Sequence, residues 1–221
     1  MIDLKREGPV VVLQMRAGEN RFNPPFIGAL NKALDQAEGA AEPTALVLTG
    51  DGKFFSNGLD LAWMSGEGRD QAGDVVTGML RIFARVLCSP LVTVAAINGH
   101  AFAGGAMLAL ACDFRVMRTD RGFFCIPEID LGLPLQPGMA SIIQARLPKL
   151  TAHELIVTGK RFGGSEALER GIVDFAVPDV DLISKSTSIA APHAAKSRAV
   201  MREHKRLLYA ETLRLLEGDW A

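Results

Sequence analysis

Ile97-Asn-Gly-His-Ala-Phe-Ala-Gly-Gly-Ala-Met-Leu-Ala-Leu-Ala-Cys-Asp113, then Phe-Arg-Val-Met-Arg118 and, after a turn, Phe123-Phe-Cys-Ile-Pro-Glu-Ile-Asp130, is the stretch whose reading decides the fold. The apolar run from Leu91 to Ile97 reads as a buried strand that enters a glycine-containing turn. The turn opens a small apolar helix over Gly104 to Ala111, and a short strand follows. Glu128 then stands as a lone carboxylate flanked by Phe123, Phe124, Ile126 and Ile129. A helix N-terminus carries unpaired N–H groups and a positive dipole end, so it can hold an anion. Gly104 and Gly105 leave those groups open to a ligand. A carboxylate in apolar surroundings is a candidate general base. Together these features point to proton chemistry beside a carbonyl whose developing oxyanion rests on backbone amides.

Upstream, Val10 to Met15 reads as a strand. Asn23 before Pro24 and Pro25 marks a helix start, and Phe26, Leu30 and Leu34 share one face until Gly39 closes the helix. Ala45 to Thr49 is a second buried strand. Phe54 to Met64 holds a Ser-Asn-Gly turn, with Asp60 placed in the first turn of a short helix. Asp70 to Leu87 places Val75, Val76, Met79, Leu80, Phe83 and Val86 at helical spacing, with Ser65 to Arg69 before it as a mobile loop. Downstream, helices are expected over Pro137 to Leu147, from a Thr151–Glu154 capping box to Gly159, and over Ser165 to Arg170; a strand is expected over Ile172 to Ala176. From about residue 179 the chain turns rich in Ala, Lys, Arg and Leu and reads as helical, with an apolar face to bury on its own body or on a neighbour. This alternation predicts an α/β fold.

Composition narrows the function. The chain has 221 residues, 48% of them hydrophobic and 22% charged, an ordinary globular balance with room for one large domain. A net charge of −1 argues against general nucleic-acid binding, which needs a basic surface. Cys88, Cys112 and Cys125 form no Cys-x-x-Cys pair and read as buried, reduced thiols, so a reducing, cytoplasmic setting and no metal site are expected. The polar N-terminus does not read as a secretory signal, no apolar run approaches a membrane span, and the final residues are not the peroxisomal tripeptide.

Three patches, Phe55-Ser-Asn-Gly-Leu-Asp-Leu61, Ala96-Ile-Asn-Gly-His-Ala-Phe-Ala-Gly-Gly105 running on to Asp113, and Pro127-Glu-Ile-Asp-Leu-Gly132, stand in the order and spacing of the crotonase superfamily, and the chain resembles its enoyl-CoA hydratase/isomerase group. The resemblance implies a crotonase-like spiral of β-β-α units over residues 1–178 and a C-terminal helical region over 179–221 that helps assemble a homotrimer or a dimer of trimers. It implies an acyl-CoA thioester as substrate, with coenzyme A part of the substrate and no separate cofactor. The amides of Leu59 and Gly104 would hold the thioester oxygen, each worth roughly 3–4 kcal/mol of barrier. Hydratases of the family carry a second glutamate three residues after the oxyanion glycine, where this chain has Met107; dienoyl-CoA isomerases need a further acid where it has Gln136. What remains resembles the Δ3,Δ2-enoyl-CoA isomerases: an oxyanion hole and one base, Glu128, moving a proton from C2 to C4. A hydratase or another acyl-CoA reaction on the same scaffold, or a non-catalytic acyl-CoA-binding protein, are the competing readings.

By position, the loop Asn20 to Asn23, with Arg21 and Phe22, and the segment Lys53 to Asn57, with Phe55 and Ser56, would line the adenine and pantetheine path; Gly58 and Gly105 count among the substrate-binding residues, and Trp63, Phe83 and Met107 would wall the acyl pocket. Core packing is the plainer role for Trp63, Phe83 and Met107. His100 reads as a satisfied loop histidine, Asp60, Asp113 and Asp130 as caps or ion-pair partners, and the tail's cations as mostly a solvated face.

Overall fold

A computed structural model describes residues 1–218. Its strands are β1 (Ile2–Glu7), β2 (Val10–Met15), β3 (Ala45–Gly50), β4 (Phe54–Ser56), β5 (Thr93–Ile97), β6 (His100–Phe102), β7 (Phe114–Arg118), β8 (Phe124–Cys125) and β9 (Phe175–Val177). Its α-helices in the body are α1 (Pro24–Glu38), α2 (Leu61–Ser65), α3 (Ala72–Leu87), α4 (Gly104–Ala111), α5 (Pro137–Arg146), α6 (Lys149–Thr158) and α7 (Gly164–Glu169). Helices α8 (Leu182–Ala190), α9 (Arg198–Leu208) and α10 (Ala210–Glu217) form the tail.

The strands sort into two sheets by a simple alternation. From β3 to β8, the first strand of each consecutive pair joins a large sheet, ordered β1-β2-β3-β5-β7-β9, and the second joins a small one, β4-β6-β8. Thus β3, β5 and β7 stack in parallel register (Leu46 opposite Thr93, Val94 opposite Phe114), while β4, β6 and β8 stack beside them. This is the spiral of β-β-α units that the resemblance implies. Strands β3 and β5 are buried along their whole length, which explains why Ala-Leu-Val-Leu and Val-Ala-Ala-Ile read as continuous apolar runs rather than alternating ones. One sheet face meets α1, α3 and α4 through Leu13, Leu46, Leu48, Ala95 and Ile97; the other carries Val12, Val47, Val94 and Val116 against Leu182 and Ala190 of α8.

Two asparagines fasten the layers. Asn98 accepts from the Gly50 N–H (2.8 Å) and donates to the Gly52 carbonyl (3.2 Å), locking the ends of β3 and β5 together. Gly99 is needed beside it, because a Cβ there would lie 2.1 Å from the Lys53 carbonyl oxygen. Asn23 caps α1 through its Oδ1 on the Phe26 N–H.

Several expectations shift. Ile2–Glu7 is an edge strand, antiparallel to β2, where the sequence read only as a polar lead-in. Asp60 is the cap that its residue type suggested, lying just outside α2 as its N-cap and accepting from the Trp63 N–H, rather than within the first turn. Thr151 opens no capping box: α6 starts at Lys149 behind Pro148, and the Thr151 hydroxyl donates to the Arg170 carbonyl instead. The strand expected over Ile172–Ala176 forms only at Phe175–Val177, because Ile172 and Val173 turn inward to the core. The tail's apolar face rests on its own body, with Leu213 and Leu216 of α10 buried where that helix crosses α3 and α5; Leu207 and Leu208 remain exposed. Lys205 is no solvated cation. It is buried, and its Nζ donates to Asp113 (2.7 Å) and to the Leu91 carbonyl (2.8 Å). The last three residues, including the end of the tail, lie outside the described residues.

Candidate active site

The carboxyl ends of three parallel strands converge on one cavity of about 470 Å³, the place where open parallel sheets present their ligand sites. Each strand delivers one component. Leu59 follows β4, Ala103 and Gly104 follow β6, and Glu128 follows β8 in a short 3-10 turn over Pro127–Ile129. The Ala103 N–H donates to the Cys125 carbonyl (3.0 Å), so the start of α4 is tied to the strand that carries Glu128.

Leu59 is aimed by its neighbours. The Phe22 N–H donates to the Gly58 carbonyl (2.8 Å), and the Asp60 N–H donates to the Phe22 carbonyl (3.1 Å). These parallel-bridge bonds leave Leu59's own N–H pointing away from Phe22. Gly58 has φ +75°, and a Cβ there would lie 3.0 Å from the Gly104 nitrogen and 2.9 Å from the Ala103 Cβ. The Leu59 turn therefore presses directly on the N-terminus of α4. Among the described residues neither the Leu59 nor the Gly104 N–H has an acceptor. Ala103, just before the helix, sits at φ 51°, a conformation costing a non-glycine residue about 1–3 kcal/mol, and nothing in its sequence announces it. Two unpaired donors against a helix N-terminus can hold an oxyanion.

Glu128 is 8% exposed, and its Oε2 is buried without a hydrogen-bond partner among the described residues. Burial pushes its carboxyl from the ordinary 4.5 up to about 7, opposed only by a backbone hydrogen bond. A base of that pKa is suited to taking and returning a proton near neutral pH. It is the one carboxylate among the described residues lining the cavity. Met79, Val76, Leu61 and Met139 give apolar walls, and the half-exposed Leu131 and Leu133 also line the cavity.

Of the residues singled out in the sequence, Glu128, Leu59, Gly104, Arg21 and Asn57 come together around this cavity. The others stand behind it. Asn20 is fully buried at φ 51°; its Oδ1 accepts from Ala17 N–H (2.8 Å) and its Nδ2 donates to the Phe55 carbonyl (3.0 Å). Ser56 Oγ donates back to the Asn20 carbonyl (2.7 Å), so the pair clasps the 17–23 loop onto β4. Phe22 packs edge-on against Phe26 and Phe83, and Phe55 is fully buried in the same core. A Cβ on Gly105 would sit 2.1 Å from the Ser56 carbonyl oxygen, so this glycine serves the approach of α4 to β4. Met107 is wholly buried core, and Trp63 lays its ring over Gly68, outside the cavity lining. His100 is not a satisfied loop residue: it lies in β6, ringed by Phe54, Phe102 and Phe123, and its Nδ1 is buried with no partner among the described residues.

Phe102, Cys125, Gln136 and Arg161 also line the cavity and were not singled out as contacts. They arrive from distant turns of the spiral, and no local pattern joins them. The Cys125 thiol donates to the Gly159 carbonyl (3.1 Å) and is pushed by burial up to about 11, so it stays protonated. The described residues contain no group of three or more His, Cys, Asp or Glu placed to hold a metal, and no helix long and apolar enough to cross a membrane.

A parallel spiral with a lone buried carboxylate facing two free amides defines a crotonase-fold protein. The chain belongs to the enoyl-CoA hydratase/isomerase family, whose model matches residues 5–217. It is 34% identical to enoyl-CoA delta isomerase 3 of Arabidopsis thaliana, over 98% of this chain and 95% of that one. It is 32% identical to a probable enoyl-CoA hydratase of Bacillus subtilis, over 90% and 78%. The crystal structure of human mitochondrial delta3-delta2-enoyl-CoA isomerase superposes with a TM-score of 0.88 at 26% identity, covering 96% of this chain and 84% of that one.

Proposed function

We propose that this enzyme is a Δ3,Δ2-enoyl-CoA isomerase. The observation that carries the reading is the solitary carboxylate: among the described residues lining the cavity, Glu128 alone can exchange a proton on the carboxylate scale. The helix position where a second acid would serve hydration is Met107, sealed in the core, and the position where a dienoyl-CoA isomerase would carry a further acid is the amide Gln136, which lines the cavity. A 1,3-proton shift on one face of the substrate needs one base. Addition of water normally needs a second group to position or activate that water.

In this mechanism the thioester oxygen lies between the Leu59 and Gly104 amides. Glu128 removes the C2 proton, and negative charge moves onto the thioester oxygen as a dienolate. The same carboxyl then returns the proton at C4, and the double bond settles between C2 and C3. Donors already in place for the enolate stabilise it without reorganisation. The coenzyme is the substrate's handle, and no separate cofactor takes part. A second recess, walled by Glu19, Asn23 and Asp60, shares Arg21 with the cavity and supports a coenzyme path past the Asn20–Asn23 loop. We place the protein in a reducing, cytoplasmic compartment as a homotrimer or dimer of trimers; the three free thiols and the exposed Leu207 and Leu208 of α9 support this.

The test is a product partition. The protein is given a trans-3-enoyl-CoA and, separately, a trans-2-enoyl-CoA, and products are resolved by chromatography. The proposal expects rapid conversion of the first to the 2-enoyl isomer and little 3-hydroxyacyl product from the second. Efficient hydration would assign the site to a hydratase, and tight binding without turnover to an acyl-CoA-binding protein.

A further inference from the structure

Helix α4 carries one of the two free amides, yet no side chain of its own can fasten it by a hydrogen bond between side-chain polar groups. Its eight residues, Gly104–Ala111, are glycine, alanine, leucine and methionine, and all are buried. A helix that is apolar on every side packs without directional bonds. Its backbone ends are what remains to be fastened, through the N–H groups of the first turn and the carbonyls of the last. The first end is given to the site. There the Gly104 N–H stands open, and the preceding Ala103 N–H is tied to the Cys125 carbonyl (3.0 Å). The set of that open amide along and around the helix axis depends on the far end as well.

At the far end Cys112 leaves the helix in an extended conformation, so no left-handed cap takes up the last carbonyls. One side chain does. Arg146, the half-buried last residue of α5, donates from Nε to the Leu110 carbonyl (3.0 Å). Its Nη2 donates to the carbonyls of Cys112 (2.8 Å) and Asp113 (2.8 Å). Its Nη1 donates to the Tyr209 hydroxyl, and the guanidinium lies 5.4 Å from the centre of that ring. The neighbouring cations are engaged differently. Arg115 gives the Cys112 carbonyl one bond (3.1 Å) but pairs with Asp174 (3.1 Å). Lys205 pairs with Asp113 (2.7 Å), whose carboxylate also accepts from the Thr93 N–H (2.8 Å). Arg146 instead aims its fork at three successive carbonyls where α4 ends. The planar guanidinium makes that aim rigid, and a cation at a helix C-terminus reinforces the dipole whose positive end faces the cavity. Eight residues of helix span about 12 Å, so a slide or tilt at Arg146 is carried to the Gly104 amide. The same helix α5 brings Met139 to the cavity wall, so the residue that holds α4 and part of the wall move together.

We propose that Arg146 is a positioning residue for the reaction: by holding the C-terminal end of α4 it fixes where the Gly104 N–H stands relative to the Leu59 N–H and Glu128. This rests on the thioester reading above. The tail joins the device through Tyr209, which braces the guanidinium from the side away from α4.

The experiment compares wild type, Arg146→Met, Arg146→Lys and Lys205→Met in two measurements. The first is kcat and KM on 3-hexenoyl-CoA. The second is the infrared stretch of carbonyl-labelled hexanoyl-CoA, a saturated ligand whose thioester band moves to lower frequency when the amides grip its oxygen. A misplaced donor is felt in the transition state more than in binding. Arg146→Met should therefore lose about tenfold to a hundredfold in kcat, with KM within about threefold and the band shift reduced. Arg146→Lys keeps the charge without the fork and should fall between the two; it decides the matter alone if Arg146→Met does not fold. Lys205→Met loosens the same corner without touching the carbonyls at the end of α4, so it should lose stability while keeping kcat and the band shift. A kcat and band at wild-type level in both Arg146 variants overturns the proposal, as does an equal loss of both in Lys205→Met. If wild type isomerises nothing but its band shift is lost in Arg146→Met, the isomerase reading fails and the positioning role stands.

Discussion

Replacing Glu128 with Gln should make the protein more stable, and by an amount that depends on pH. Glu128 keeps nearly the shape of glutamine but must carry a charge into a site where its Oε2 has no partner among the described residues and burial lifts its pKa from 4.5 to about 7. The sign follows from proton binding. Between those two values the folded state holds a proton that the unfolded chain has lost. The neutral carboxyl is therefore fully tolerated below pH 4.5, and its contribution is lost as pH rises through about 7. The full difference corresponds to about 3 kcal/mol of burial penalty. Glu128→Gln has no charge to bury. Its advantage over wild type should be small at pH 4 and approach about 3 kcal/mol at pH 8.5, or about 6–12 °C in melting temperature for a chain of this length. The assay is urea and thermal unfolding of both proteins at fixed concentration across that pH range. A gap that does not widen with pH would show that Glu128 is hydrated or paired in solution, and the argument for a base tuned by burial would fall with it.

Three further outcomes follow from the same geometry. With the base required in its ionised form, kcat/KM for isomerisation should fall as pH drops through about 7, and a profile flat down to pH 5 would exclude Glu128 at that pKa. Gly58→Ala places a methyl group 2.9 Å from the Ala103 Cβ on a backbone at φ +75°, so it should move the Leu59 amide off α4. A loss of about a hundredfold in kcat with the circular-dichroism spectrum retained is expected, and near-normal turnover would mean that the Leu59 N–H is not used. Lys205→Met leaves Asp113 without its buried partner and should cost about 3 kcal/mol in urea unfolding; a loss below 1 kcal/mol would show that the tail is held by apolar contact alone.

Much of the site was legible because its parts are local. Gly104 opens α4, Glu128 follows β8 and Leu59 follows the Ser-Asn-Gly turn, each a short-range pattern of glycine, apolar run and single polar residue. The clasping roles of Asn20 and Ser56 were not legible, because an asparagine that binds three carbonyls in the core looks in sequence like any loop asparagine. Thr151 shows the converse: a sound capping pattern yields when Pro148 starts the helix two positions before it and a distant carbonyl claims the hydroxyl. Lys205 was hidden for a third reason. Whether a cation is solvated or paired in the core depends, for Lys205, on a partner 92 residues away.

The most direct test of the central claim is the rate of 3-enoyl-CoA isomerisation by wild type and by Glu128→Gln, with C2 proton exchange followed by NMR in deuterated water. The account predicts that exchange and isomerisation fall together, by about a thousandfold or more, while the variant still binds the thioester. A variant that isomerises within tenfold of wild type, or that loses isomerisation yet still exchanges the C2 proton at the wild-type rate, would contradict it.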